Sequence, residues 1–257
     1  MTTQDAFIAR VTAALGHPSQ SLPRRQALFY PTGRDTTGKN PSRIRARTPV
    51  DRLELLNQLV KQGKPLNLRV ITIKDTSAAA AAIAELVDEK SPEWGGPKSV
   101  VAWQHPLIDA LDMAPLLAAR QVTYFTDVPT TEVAETKERA TIRRQLATAF
   151  VGITSADYCL AETATLVLKT RPARARAVSL LPTIHIAVIE LRQIIGNLAE
   201  LFVRLKSDKK EPLSGLGNCL TLITGPSKTA DIELTMVHGA HGPRELHLYV
   251  IAPEAFE

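Results

Sequence analysis

The sequence predicts an α/β protein: a single doubly wound domain on a mostly parallel sheet, preceded by an extended basic N-terminal arm. Strand-like and helix-like segments alternate from residue 50 onward, which is typical of βαβ units with helices on both faces of the sheet. The chain has 257 residues, of which 44% are hydrophobic and 22% charged. This composition excludes a disordered chain and is sufficient for one large core.

The first 49 residues differ from the rest. Phe7, Ile8, Val11 and Leu15 recur at helical spacing and predict a helix over 5–15 that ends at Gly16. Residues 17–49 contain five prolines, which favours an extended segment that either packs on its own domain or covers a partner. We therefore divide the chain into a helix and basic arm at 1–49 and an α/β domain at 50–257.

The elements of the α/β domain follow from apolar periodicity and from turn residues. In its first half we predict helices over 53–63, 77–90, 108–120 and 131–150, and strands over 66–73, 99–103 and 122–125. In its second half we predict strands over 158–160, 165–169, 183–189, 219–224 and 247–251, an amphipathic helix over 191–206 and a charged loop over 207–217.

The net charge of +5 is not spread evenly over the chain. Residues 1–50 contain eight basic and two acidic side chains, so the rest of the chain is nearly neutral. A broadly basic surface for nucleic acid is therefore not expected. Aromatic residues are only 5%, which also disfavours base stacking as the main activity.

Two cysteines, Cys159 and Cys219, are too far apart in sequence to indicate a disulfide framework or a zinc ribbon. No apolar segment follows the N-terminus as in a secretory signal, and the longest apolar run, 178–189, is short and contains Pro182. We expect a cytoplasmic protein with reduced thiols and no membrane span.

The segment 224–233 is the first candidate binding site. A strand ends, Gly225 and Pro226 make a turn, and Ser227 or Thr229 can cap a new helix. The free N–H groups of such a helix start suit a phosphate or a carboxylate, and Lys228 adds a positive charge. The alternative is a capped turn in which Asp231 complements the helix dipole. The spaced glycines of a P-loop are absent from this segment.

A second candidate lies at 238–244, where two histidines and an arginine share a glycine-rich loop. We expect His241 and Arg244, with Gly242 between them, to face the same crevice as Ser227. A structural role for His241 in a turn remains open. Because His238 and His241 lie on a loop without supporting carboxylates, we predict no metal site.

Two further residues are candidate bases. Glu162 lies between two short strands, with Thr163 and Thr165 beside it, and a carboxylate in an apolar setting can act as a base or nucleophile. An exposed or arginine-paired glutamate is the alternative. His185 lies in an apolar strand, where a hydrogen-bonded core histidine is the alternative to a base.

Taken in order, five short motifs resemble the lactate utilization protein C family, the proteins of the LUD domain. They are TSAD at 154–157, AETATLVL at 161–168, SLLPTIHI at 179–186, TGPSKTADIE at 224–233 and HGPR at 241–244. The resemblance covers about residues 50–252. One departure is Ala164, where the family usually has glycine; another is His238, where an aliphatic residue is more usual.

The resemblance implies a NagB/RpiA/CoA-transferase-like fold and a role with two iron–sulfur proteins in oxidising L-lactate to pyruvate. Two cysteines cannot supply the four thiolates of a usual cluster. We therefore expect the iron–sulfur clusters on the partner proteins and no cofactor on this chain. The family provides no settled catalytic residue to transfer.

Three hypotheses remain. The first is a subunit of a lactate-oxidising system with a crevice for a small carboxylate or phosphate. Its pocket would contain Thr163, Thr165, Gly225, Ser227, Lys228, Thr229, Asp231, His241, Gly242 and Arg244, with Glu162 or His185 as the base. The second is a free-standing enzyme that acts on a phosphosugar or an acyl-CoA. The third is an assembly protein without pocket chemistry, held to its partners by the arm. Whether the chain turns over a substrate stays open.

Overall fold

The computed structural model describes residues 3–14, 47–92, 95–126, 136–171, 174–207, 219–230 and 236–256. The chain forms two compact units, Met1–Lys39 and Asn40–Glu257. In the first, helix α1 covers Thr3–Ala14, close to the predicted 5–15. Most of the predicted basic arm, residues 15–46, lies outside the described residues. So do most of the predicted loop at 207–217 and the start of the helix predicted from residue 131.

The second unit alternates helices and strands. Its helices are α2 (Pro49–Gly63), α3 (Thr76–Glu89), α4 (Pro106–Asp109), α5 (Met113–Ala118), α6 (Thr136–Thr148), α7 (Ala177–Leu180) and α8 (Leu198–Ser207). Its strands are β1 (Leu68–Ile73), β2 (Ser99–Ala102), β3 (Thr123–Thr126), β4 (Val151–Thr154), β5 (Tyr158–Leu160), β6 (Thr165–Lys169), β7 (Ile184–Glu190), β8 (Ile194–Ile195), β9 (Leu220–Ile223), β10 (Lys228–Ala230), β11 (Met236–His238) and β12 (Glu245–Ile251).

Six of these strands form one parallel sheet in the order β1-β12-β7-β4-β2-β3. This confirms the predicted α/β class. Strand β7 is central and almost fully buried, as expected for a parallel strand covered on both faces. Helices α3, α4 and α5 pack on one face. Helices α2, α6 and α7 pack on the other, together with a second sheet.

The second sheet was not predicted. It has the order β8-β5-β6-β9, in which β6 runs antiparallel to both neighbours. Its strands β5 and β6 occupy the predicted ranges, but the sequence pattern did not indicate that they leave the main sheet. Helix α8 covers the outer side of this sheet through Leu201 and Leu205.

Several predicted elements were wrong. The helix predicted over 108–120 is two short helices, because Asp112 adopts a left-handed conformation with φ 46° that a continuing helix does not permit. The helix predicted over 191–206 begins only at Leu198, after a 3-10 turn and the two residues of β8. Helix α6 ends at Thr148 rather than at 150, and the buried strand β4 was missed.

Among the described residues, the helices are all too short or too polar to cross a lipid bilayer.

Candidate functional site

The candidate site is a cleft at the amino ends of β1 and β12, which we call the amino-edge cleft. Its volume is about 570 Å³, within the range of small-molecule sites. Its polar lining consists of Lys64, Asn67, Arg69, Arg244, Glu245 and His247, and Pro226 adds an apolar contact. Three cationic side chains therefore face one carboxylate, so the cleft favours an anion.

The turn before β1 supplies one wall of the cleft. Lys64 begins a 3-10 turn that ends at Asn67, whose backbone N–H donates to the Lys64 carbonyl oxygen at 3.1 Å. Asn67 has a left-handed backbone with φ 60°, which asparagine tolerates better than most residues. The turn thereby leaves the Lys64, Asn67 and Arg69 side chains exposed at the start of β1.

The segment 224–227 approaches this turn closely. Gly225 has φ 78°, and a Cβ atom there would lie 2.9 Å from the Leu66 carbonyl oxygen. Only glycine combines that conformation with that approach. At the preceding residue, Thr224 Oγ1 lies 2.7 Å from Thr165 Oγ1, which in turn lies 2.8 Å from Thr163 Oγ1. These contacts join two of the sequence motifs.

The motif at 241–244 also reaches this region. The Ser227 N–H donates to the Pro243 carbonyl at 2.8 Å, and the His241 N–H donates to Ser227 Oγ at 3.3 Å. A Cβ at Gly242 would lie 3.4 Å from the Ser227 Cβ. Ser227, His241 and Gly242 are therefore close together, but of the four residues predicted to share a crevice, Arg244 among them, only Arg244 lines this cleft.

The predicted helix after Ser227 was wrong. Lys228 and Thr229 belong to β10, which pairs antiparallel with β11, so Lys228 opposes His238. No helix N-terminus is available at 227–229 for an anion, and Lys228 projects from a strand outside the cleft lining. Asp231 lies outside the described residues. The positive charge of the cleft therefore comes from side chains and not from the end of a helix.

The carboxylate in the cleft is already paired. Glu245 accepts from Lys90 Nζ at 2.7 Å and lies 2.9 Å from His247 Nε2. Burial alone would raise the pKa of Glu245, but these two hydrogen bonds outweigh it and hold the pKa below its usual range. Burial has the opposite effect on the imidazole of His247: it lowers the pKa of His247, although the hydrogen bond to Glu245 opposes that effect. Glu245 therefore remains ionised and orients a neutral His247.

The two candidate bases, Glu162 and His185, differ in solvent exposure. Glu162 and Thr163 are exposed in the turn between β5 and β6. His185 is fully buried in β7, and its Nε2 lies 2.8 Å from Thr154 Oγ1. Burial lowers the pKa of His185 to about 3, so the ring is neutral. Neither residue lines the amino-edge cleft, and their roles as bases stay predictions.

Ala164, which directly precedes Thr165, has an unusual backbone conformation. It has φ 48° and is completely buried. The left-handed region costs an alanine about 1 kcal/mol relative to glycine. This conformation gives a physical reason for a glycine at this position, because glycine adopts it without strain.

Sequence analysis missed Lys64, Asn67 and Arg69 and did not assign Glu245 or His247 to the site. The only local signal was the turn-forming Lys-Pro-Leu-Asn before a predicted strand.

Within the described parts of the chain, no three His, Cys, Asp or Glu side chains are grouped closely enough to hold a metal ion. Burial raises the pKa of the Cys159 thiol, and Cys219 is half-buried beside Arg176.

This chain is similar to proteins of one known family. The LUD domain family model matches residues 56–251. A lactate utilization protein C from Halalkalibacterium halodurans is 31% identical over 74% of this chain and 76% of its own length. A second, from a Geobacillus species, is 32% identical over 61% of this chain and 63% of its own length.

A similar fold is known from a crystal structure of a DUF162 family protein from Deinococcus radiodurans. The two chains superpose with a TM-score of 0.51, over 77% of this chain and 97% of the other, at 24% sequence identity. At that identity the likeness supports the fold alone. The match of the LUD family model over most of the chain carries the assignment: this protein belongs to the LUD domain family.

Proposed function

We propose that this chain serves lactate utilization as a subunit that binds a small carboxylate or phosphate in the amino-edge cleft. The similarity to proteins named lactate utilization protein C supports the process. The observation that carries the binding role is the convergence of Lys64, Arg69 and Arg244 from two segments on one cleft. Cationic side chains form the strongest hydrogen bonds to carboxylate and phosphate groups.

The proposed division of labour leaves electron transfer to two iron–sulfur partner proteins. Cys159 and Cys219 are the only cysteines of the chain, fewer than a usual cluster requires. In this proposal the chain binds and orients the acid, and the partners accept the electrons. No cofactor is assigned to the chain itself.

The experiment is reconstitution of the full chain with two iron–sulfur proteins as the proposed partners. We expect the three proteins to copurify and to reduce a dye only when L-lactate is present. The variant with both Lys64→Met and Arg244→Met should lose most of this activity, since each lost charge-assisted bond costs about tenfold in binding.

The matched control is Lys61→Met, which removes an exposed lysine from the same region of the chain without touching the cleft. It should retain full activity. Equal activity of the double variant and the control would reject the cleft as the binding site. Failure to copurify would reject the assembly role.

A further inference from the structure

The Glu245–His247 pair lies in the amino-edge cleft, next to the cations of the proposed anion site. Both residues line the cleft and belong to β12. Because side chains two residues apart in a strand project from the same face of the sheet, Glu245 and His247 lie on the face of Tyr249, which packs against α3. The chemistry of this pair depends on which of its atoms carry protons.

The contact with Glu245 fixes the tautomer of His247. Although burial would raise the pKa of Glu245, hydrogen bonds from Lys90 and His247 hold that pKa below its usual range, so the carboxylate is ionised and can only accept. The atom that faces it, His247 Nε2 at 2.9 Å, must therefore carry the proton. Burial lowers the pKa of His247 and keeps the ring neutral, which leaves Nδ1 with a lone pair and no proton.

Nδ1 of His247 is an unused hydrogen-bond acceptor. It bonds to none of the described residues. The unpartnered Nδ1 of His185 is completely enclosed by the core, whereas that of His247 is not, and His247, although only 1% exposed, lines the cleft. A buried acceptor that finds no partner costs free energy. The cleft therefore favours a ligand with a hydrogen-bond donor that reaches Nδ1.

Arg69 is the cation that shares a face of the sheet with His247. The two residues are register partners in the parallel pairing of β1 with β12. Register partners point to the same face from strands that lie about 4.8 Å apart. Burial is the main cause of the lowered pKa of His247, but the charge of Arg69 adds to it, as expected of close neighbours. On its other side His247 is paired with the buried, apolar Ile186.

The Arg69 guanidinium is exposed and bonds to none of the described residues. An anion held by Arg69 therefore lies beside Nδ1 of His247. The carboxylate of Glu245 does not repel that anion strongly, because Lys90 Nζ lies 2.7 Å from it and offsets its charge. With Lys64 and Arg244 also in the lining, the cleft stays cationic after the Glu245–His247 pair is included.

We propose that His247 is a specificity-determining residue: its Nδ1 accepts a hydrogen bond from the hydroxyl of a 2-hydroxy acid whose carboxylate is bound by Arg69. This inference rests on the proposed function and adds which acid the cleft prefers. A 2-keto acid or an unsubstituted acid has no proton at that position to give to Nδ1. Such a ligand leaves the acceptor unpaired, and a site built around a hydroxyl rejects analogues that lack it.

The test is calorimetric titration of the full chain with three acids of similar size, L-lactate, pyruvate and propionate. Wild type should bind L-lactate about tenfold more tightly than either of the other two. His247→Gln retains an N–H that can donate to Glu245 but lacks the ring atom Nδ1. It should bind all three acids with similar affinity, close to that of wild type for propionate.

Two further variants serve as controls. Lys61→Met should keep the wild-type affinities, because Lys61 lies outside the cleft lining. Arg69→Met should weaken the binding of all three acids by a similar factor, since it removes a contact with the carboxylate that they share, and the preference for L-lactate should remain.

Equal affinity of wild type for the three acids would overturn the inference and leave the proposed anion site intact. A preference for L-lactate that persists in His247→Gln would also overturn it, because another group would then recognise the hydroxyl. Absence of binding of any of the acids to wild type would overturn the inference together with the proposed function. The comparison of the three acids on wild type is decisive even if the His247 variant does not fold.

Discussion

The side-chain hydroxyl of Thr165 lies 2.7 Å from that of Thr224 and so joins the first residue of β6 to the segment that follows β9. Thr165 is 4% exposed, whereas Thr224 is exposed. The contact continues the pairing of β6 with β9 beyond Leu166 and Ile223. It places the turn at Glu162 next to the loop that carries Gly225 and Ser227.

Thr165→Val should break this contact while keeping the shape of the side chain. We expect a loss of about 1–2 kcal/mol in the free energy of unfolding, because the Thr165 hydroxyl also lies 2.8 Å from Thr163 Oγ1 and each hydrogen bond contributes about 1 kcal/mol. A double-mutant cycle with Thr224→Val measures the interaction by chemical denaturation, and the coupling should be about 0.5–1.5 kcal/mol. A coupling of zero would show that the two hydroxyls do not interact.

Substitutions at Ala164 should report its left-handed backbone. Ala164→Gly should change stability by no more than about 1 kcal/mol, because relief of strain offsets the loss of a buried methyl group and the added chain entropy. Ala164→Val should cost more than about 2 kcal/mol, since a β-branched residue is strained at this φ and lacks space. Thermal unfolding of both variants checks this, and equal melting temperatures for glycine and valine would contradict it.

His185 should make stability depend on pH. Its pKa of about 3 in the folded protein is below the usual 6.5, so the unfolded chain binds more protons between these values. The stability it provides is complete above about pH 6.5 and is lost as pH falls toward 3, by up to about 1.4 kcal/mol per pH unit. His185→Gln should flatten the slope of unfolding free energy against pH. An unchanged slope would contradict the burial of a neutral ring.

Gly239 should control the position of Arg244. It has φ 82°, and a Cβ there would collide with the Arg244 side chain. Gly239→Ala is expected to displace that guanidinium and weaken phosphate binding several-fold, as measured by calorimetry. Gly95→Ala is the matched control, because Gly95 has φ 72° but open space around its Cβ position. A similar loss of phosphate affinity in both variants would show that backbone strain, and not displacement of Arg244, causes the effect.

The parallel sheet was predictable because its strands are apolar runs of the length that such strands have. The sequence does not indicate which strands join the main sheet. Strands β5 and β6 have the expected ranges, yet they form a separate sheet with β9, because that choice depends on packing against α8 and on long-range pairing. Asp112 likewise divides a helix through a backbone conformation that a periodic pattern does not reveal.

The site was predictable in part. The motifs predicted that Ser227 lies near the loop at 241–244, and the two are in contact. The helix expected after Ser227 is a strand, because β10 pairs with β11 and that pairing overrides the local capping pattern. Lys64 and Arg69 were missed because they are ordinary exposed cations in sequence, and only the parallel pairing of β1 with β12 brings them near Arg244.

The most direct test of the cleft is calorimetric titration of the full chain with L-lactate, pyruvate and inorganic phosphate. Wild type and Lys61→Met should bind at least one of these anions with equal affinity, and Lys64→Met and Arg69→Met should each bind it about tenfold more weakly. Binding should also weaken as salt rises, because the cleft residues are exposed. Equal affinity in all four proteins, or no binding by wild type, would contradict the assignment of the amino-edge cleft as an anion site.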